Sequence, residues 1–195
     1  MYNFFAYISR MKYINRWALM RNTYAENIQE HSLEVSIIAN ALAIIRNEKF
    51  GGSVNVERVT LAGMYHDCSE IITGDMPTPV KYHNADIKES YKKIENLAKS
   101  NLISMLPDFM SKEIGGYINQ DKLTDEEKNI VKVADKLSGY IKCIEEEKAG
   151  NNEFVKAKES LKEIIDNLDM AEVKYFMDNF MPAYSLTLDE LDVQK

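Results

Sequence analysis

The chain's apolar residues recur at three- and four-residue steps almost from end to end, and no stretch sustains the alternate-residue pattern of a half-buried strand. That period leaves little room for anything but an all-α bundle. With 195 residues, 45% of them hydrophobic, the length suits a single domain spanning 1–195. A short first helix should carry Phe4, Phe5, Ile8 and Met11. A second, from about Glu26 to Asn47, places His31, Val35, Ile38, Leu42 and Ile45 on one inward face. After the glycine turn at Gly51–Gly52, Asn55 is a suitable N-cap for a third helix, expected to run unbroken to Gly74 with Val59, Gly63, His66 and Glu70 on one stripe. Pro77 and Pro79 then predict a stiff loop. A helix over about 86–105 should bury Ile87, Tyr91, Ile94, Ala98, Leu102 and Met105 before Pro107 stops it, and a shorter segment lies around Phe109–Ile118. Thr124 and Glu127 form a capping box opening a long helix with Asp135 at the edge of its apolar stripe. Gly150 closes it, and helices over about 153–168 and 170–180 complete the bundle.

The formal net charge of -7 argues against a nucleic acid polymer as partner, since phosphate backbones are held mainly by clustered Lys and Arg. No apolar run approaches the ~20 residues needed to span a bilayer, so no membrane is expected. Cys68 and Cys143 are isolated thiols outside any CxxC pair, and the N-terminal segment lacks a secretory pattern, which together predict a reduced, cytoplasmic protein.

His31, His66, Asp67 and Asp135 lie on or beside the inward stripes of three different helices. An unpaired buried carboxylate costs several kcal/mol, of order ~5, so two such acids require cations or donors. One divalent ion satisfies all four side chains, because imidazole nitrogen and carboxylate oxygen both ligate first-row divalent metals. A lone inward histidine is more often a hydrogen-bonded core residue, but two of the three histidines here share that setting. His83, after the proline loop, reads as a surface residue, and Lys81 as an ordinary solvated lysine.

The order His31, His66-Asp67, Asp135 in a helical chain resembles the HD-domain metal-dependent phosphohydrolases. More narrowly, "INRWALMRN", "ENIQEHSLEVS", "MYHDCSEIITGDMPTPVK", "VKVADKL" and "AGNNEF" together resemble the bacterial 5'-deoxynucleotidase subgroup, in ordered blocks from residue 14 to residue 154. The resemblance implies an HD-domain helical bundle that removes phosphate from deoxyribonucleoside 5'-monophosphates. It implies one divalent ion, Co2+ or Mn2+, on His31, His66, Asp67 and Asp135, and a homodimer. Glu70 would carry a proton and Arg16 would orient the phosphate; these are the expected catalytic residues. Trp17 would contact the sugar; read without the resemblance, it is a plain core-packing residue. The substrate-facing set is then Arg16, Trp17, His31, Asp67, Asp75, Met76, Pro77, Thr78 and Asp135. Met76 stands where the family commonly has leucine, and Ala18 where a proline commonly follows the Arg-Trp pair.

Two rival readings use the same residues. One is an HD-type phosphodiesterase or nucleoside-polyphosphate hydrolase; multi-metal versions need additional histidines, and only His83 is left to supply one. The other is a non-catalytic helical interaction module, for which neither Glu70 nor Arg16 would be needed.

Overall fold

The computed structural model describes residues 1–81 and 83–192, with the side chain of Thr78 left aside. After α1 (Phe4–Ile8) and a 3-10 turn over Ser9–Tyr13, a long loop leads into α2 (Ile28–Phe50). Asn27 caps α2 by accepting from the backbone N–H groups of Gln29 and Glu30, while Glu30 reaches back to the Asn27 N–H. Gly51, at φ +68°, ends it in the left-handed conformation that glycine adopts without a Cβ penalty.

The third helix departs from expectation. α3 (Val56–Tyr65), capped by Asn55, stops at His66, and α4 (Glu70–Thr73) begins after a tight turn. Through this turn the backbone bonds span three residues rather than four: Cys68 N to Tyr65 O at 3.2 Å, Glu70 N to Asp67 O at 2.9 Å, Ile71 N to Cys68 O at 3.3 Å. The His66 ring contributes, because its Nδ1 lies 2.7 Å from the Gly63 carbonyl. Gly63 also permits a close helix crossing: a Cβ there would stand 2.9 Å from Ser36 Cα on α2.

The proline segment is not wholly loop either, for Thr78–Lys81 forms a one-turn helix, α5. α6 (Ala85–Ser104) is capped by Asn84 and buries Tyr91, Ala98 and Leu102, but Ile94 is exposed, as is Phe5 of α1. α7 (Asp108–Ile118) follows Pro107. α8 (Asp125–Lys148) opens on the Thr124–Glu127 capping box, α9 (Val155–Asp166) follows a 3-10 turn over Asn152–Phe154, and α10 (Ala171–Asn179) and α11 (Leu188–Leu191) end the described chain.

Two apolar clusters result. The larger joins α2, α3, α8 and α10 through Val35, Ile38, Leu42, Val59, Leu137 and Ile141 among others; the smaller gathers Phe4, Met11, Ile28, Cys68, Leu102, Leu106 and Ile118. Each fully buried aliphatic side chain contributes roughly 1.5–3 kcal/mol. Along α2, His31 falls between Ile28 of one cluster and Val35 of the other. Along α3–α4, His66 and Asp67 fall between Ala62 and Cys68 in the same way. The ionisable residues thus occupy the seam where the two clusters meet.

Candidate active site

At that seam the four side chains converge. His31 Nε2 lies 3.1 Å from Asp135 Oδ1 and 3.4 Å from Asp67 Oδ2; His66 Nε2 lies 3.0 Å from Asp67 Oδ2 and 3.2 Å from His31 Nε2. His31 is fully buried, whereas the Asp135 side chain is 42% exposed at the rim. Burial and the nearby Arg16 disfavour charge on His31, but bonds to Asp135 and Asp67 outweigh them and lift it to about 9 in the absence of a metal. Burial alone would raise both carboxyls; the facing histidines instead hold Asp67 well below, and Asp135 below, the usual carboxylate range.

The donor set fits a cation. A carbonyl only accepts, so the Gly63 contact places the proton of neutral His66 on Nδ1 and leaves Nε2 as a bare lone pair. That lone pair faces His31 Nε2 and the Asp67 carboxylate, and Asp135 joins from the other side of His31. Ligand atoms of His31, His66 and Asp67 lie within 4.8 Å of one another, and Asp135 Oδ1 adds a fourth by its contact with His31. Mixed imidazole and carboxylate donors suit a first-row divalent ion.

Beside this cluster, Arg16 Nη1 donates to Glu26 Oε2 at 2.7 Å, and its Nη2 approaches Asp135 Oδ1 at 4.0 Å. Burial opposes its charge, but Glu26, Asp135, Asp67 and Asp75 more than compensate and keep it cationic. Trp17 Nε1 donates to the same Glu26 oxygen at 3.1 Å, and its ring meets Phe154 edge-on, centroids 5.3 Å apart. Trp17 adopts φ +57°, which a bulky residue rarely occupies. The loop is closed at its base by the Asn15–Asn27 bridge, with Arg16 N donating to Glu26 O and Ile28 N to Ile14 O, each at 2.9 Å.

A buried polar knot fixes the loop's other limb. Glu146 of α8 is fully buried and accepts from the Thr23 and Tyr24 N–H groups, from Lys142 Nζ and from Asn151 Nδ2. Asn151 also donates to the Arg21 carbonyl at 2.7 Å. The "AGNNEF" block therefore acts on the Arg16–Trp17 loop through Asn151 and Phe154.

Glu70, at the start of α4, is 8% exposed, and its Oε2 is buried without a hydrogen-bond partner. Burial, with Asp67 and Asp75 close by, pushes its pKa up to about 10 in the absence of a metal. Burial raises the pKa of Asp75 as well, against the pull of the Arg16 guanidinium. Met76 and Pro77 are half-buried in the chain that follows Asp75, and Pro77 O accepts from Val80 and Lys81 N–H to start α5. The Thr78 side chain lies outside the described structure. His83 is exposed. Lys81, expected to be merely solvated, instead donates to Glu95 at 2.8 Å over the Tyr91 ring.

The sequence is matched over residues 3–184 by the family model described as 5'-deoxynucleotidase YfbR-like. The chain belongs to the YfbR-like 5'-deoxynucleotidase family. Relatives of the YfbR-like chain include a protein of Yersinia pestis (strain Pestoides F) named 5'-deoxynucleotidase, 51% identical over 193 residues, 99% of this chain and 98% of that one. A Yersinia pseudotuberculosis (strain YPIII) protein of the same name matches equally. Among solved structures, an HD-domain phosphohydrolase from Listeria innocua superposes with a TM-score of 0.81 at 27% identity, covering 93% of this chain and 88% of that one. A cyanophage S-2L HD phosphohydrolase, solved with dA and one catalytic Zn2+ ion, shares the fold at a TM-score of 0.67 and 21% identity, covering 93% and 96%. The YfbR-like chain is therefore an all-helical HD-domain phosphohydrolase.

Sequence reasoning passed over Glu26, Glu34, Ser138 and Glu146. Glu26 stands at the expected helix start and Glu146 in a run of three glutamates, where a solvated acid is the ordinary reading. Only the folded loop shows what each one holds.

Proposed function

We propose that this chain hydrolyses deoxyribonucleoside 5'-monophosphates to deoxyribonucleosides and phosphate, using one divalent ion held by His31, His66, Asp67 and Asp135, with Co2+ or Mn2+ as the ions of choice. The reading is carried by the convergence of those four side chains beside a buried arginine. The 5'-deoxynucleotidase relatives and the dA- and Zn2+-bound cyanophage structure support the substrate class and the single ion. Such an ion, when bound, lowers the pKa of a coordinated water and polarises a phosphoryl oxygen.

The chain's own residues supply the rest. Arg16, braced by Glu26, presents the unused part of its guanidinium fork to phosphate oxygens. Glu70, buried beside the cluster, is the proton carrier for the departing 5'-oxygen. Trp17, whose indole N–H is already committed to Glu26, offers the sugar an apolar ring face. A ribose 2'-hydroxyl against that face finds no partner, which is worth roughly 1–3 kcal/mol in favour of deoxyribose. Asp75, Met76, Pro77 and Thr78 form the substrate-side rim.

The same reading places the protein in the cytoplasm as a homodimer, with neither a nucleic acid polymer nor a membrane as partner. Its buried thiols, both pushed up to about 12 mainly by burial, suit a reduced setting. No helix among the described residues is long and apolar enough to cross a membrane. Leu33, Ile37 and Ile44 line an exposed apolar stripe of α2 opposite its buried face, surface that a second copy could cover.

The test is a substrate panel with the metal varied. Phosphate release should be faster from deoxyribonucleoside than from ribonucleoside monophosphates with Mn2+ or Co2+, and absent after chelation. Turnover of a cyclic nucleotide or polyphosphate with no release from any monophosphate would overturn the reading in favour of the phosphodiesterase or polyphosphate hydrolase alternative.

A further inference from the structure

Behind the cluster, on the side away from Asp67 and Asp135, a short chain of hydrogen bonds runs from His31. Its Nδ1 lies 2.9 Å from Ser138 Oγ, and Ser138 Oγ donates to Glu34 Oε2 at 2.5 Å. His31 and Ser138 are both fully buried, and Glu34 is half-buried. Ser138 stands one turn minus a residue after Asp135 on α8, and Glu34 three residues after His31 on α2, so the same two helices that supply two ligands also supply the link behind them.

The directions of these bonds follow from the groups. A hydroxyl has one proton, and Ser138 gives it to Glu34, so toward His31 its oxygen can only accept. The Nδ1 of His31 must then carry a proton. With that proton fixed, the neutral imidazole has its lone pair on Nε2, the atom that faces His66, Asp67 and Asp135.

We propose that Ser138 and Glu34 are positioning residues that lock His31 in the Nδ1–H tautomer and fix its ring plane for metal binding. The inference rests on the metal site proposed above, but concerns residues that touch neither ion nor substrate. Partners of this kind behind a ligating histidine typically change metal affinity 10- to 100-fold when removed. Glu34 acts only through Ser138: without the carboxylate, the serine proton is free to turn toward Nδ1 and select the opposite tautomer.

The experiment is Mn2+ titration calorimetry on the full-length wild type, Ser138→Ala, Glu34→Ala and the double variant, with far-UV circular dichroism and urea midpoints measured alongside. Each single substitution should weaken Mn2+ binding about 10- to 100-fold, and the double variant should bind no more weakly than Ser138→Ala, because the two act in series. Additive losses, or unchanged affinity in Ser138→Ala, would overturn the proposal. A second readout is the 15N shift pattern of His31 in the metal-free protein at a pH above about 9, where the ring is neutral, which should report a protonated Nδ1 in the wild type and a shift toward the Nε2–H tautomer in Glu34→Ala; an unchanged pattern there also refutes it. A wild type that binds no Mn2+ would instead remove the metal site itself, a distinguishable failure.

Discussion

Glu70→Gln tests the protonated carboxyl directly, because glutamine is a permanent stand-in for the neutral acid. Burial and the neighbouring Asp67 and Asp75 lift Glu70 from the ordinary 4.5 to about 10. Between those two values the folded protein holds a proton that the unfolded chain has released. Folding stability must therefore fall as pH rises through that window, by at most about 1.4 kcal/mol per pH unit, and be insensitive to this group below pH ~4.5. From pH 6 to pH 8 the wild type should lose up to about 2.7 kcal/mol on this account, and Glu70→Gln none. Whatever constant cost the amide incurs at the unpartnered Oε2 position cancels in the comparison across pH. The assay is urea unfolding of both proteins at pH 6, 7 and 8 after exhaustive chelation, since a cation beside Asp67 would favour the ionised form. The stability difference should swing toward the variant with rising pH. A difference that stays constant, or swings toward the wild type, would mean that Glu70 is ionised in the fold and cannot be the proton donor.

Asp135→Ala should abolish Mn2+ binding by calorimetry while leaving the far-UV helical signal intact, because the side chain is 42% exposed and carries little packing; retained metal affinity would exclude it from the coordination set. Arg16→Lys should lower kcat/KM for a deoxyribonucleoside monophosphate about 10- to 100-fold without changing metal stoichiometry, since an ammonium cannot span Glu26 and phosphate as a planar fork does. Glu146→Ala leaves Lys142 buried without its carboxylate and should destabilise the protein by about 3–5 kcal/mol at pH 7 in urea titrations. Burial opposes ionisation of Glu146, but Lys142 and the Thr23 and Asn151 donors depress it to about 2; its stabilisation is thus complete above pH ~4.5 and is lost as pH falls toward 2, so the gap to the variant should narrow there. Gly63→Ala forces a Cβ to 2.9 Å from Ser36 Cα and should cost about 1–3 kcal/mol in thermal or urea unfolding.

Helices were legible wherever periodicity and a cap agreed. Thr124 with Glu127, and Asn55 before Val56, mark their helix starts through local bonds that the sequence states outright. The break at His66 was not legible, because it arises from a side chain competing for a backbone carbonyl in a geometry set by the α2 crossing. Nor was α5: the prolines argue against helix in general, yet a first turn has no intrahelical donors to lose, so Pro79 is tolerated there. The inward placement of His31 and His66 followed from spacing alone. The partners that set their protonation, Gly63 O, Ser138 and Glu34, come from long-range packing or from backbone and left no pattern to read.

The Arg16–Trp17 loop brings these strands together. Ala18, where a proline is common, would suggest a looser loop, yet the backbone at Trp17 is held in a conformation that costs of order 1–3 kcal/mol and survives only when neighbours over-determine it. Those neighbours are countable: Glu26 on the indole N–H, Phe154 against the ring, and the Trp17 carbonyl accepting from Met20 N and Asn22 Nδ2. Beyond them Glu146 and Asn151 tie Arg21, Thr23 and Tyr24 to α8, the helix that also bears Asp135. A proline at 18 would restrict one dihedral; the contacts here restrain the whole loop, and they reference it to the same helix as the proposed metal ligand. The distance between Arg16 and the proposed metal site is thereby set by α8 rather than by the loop's own stiffness, which is why these contacts, more than residue 18, should govern the proposed discrimination at the sugar.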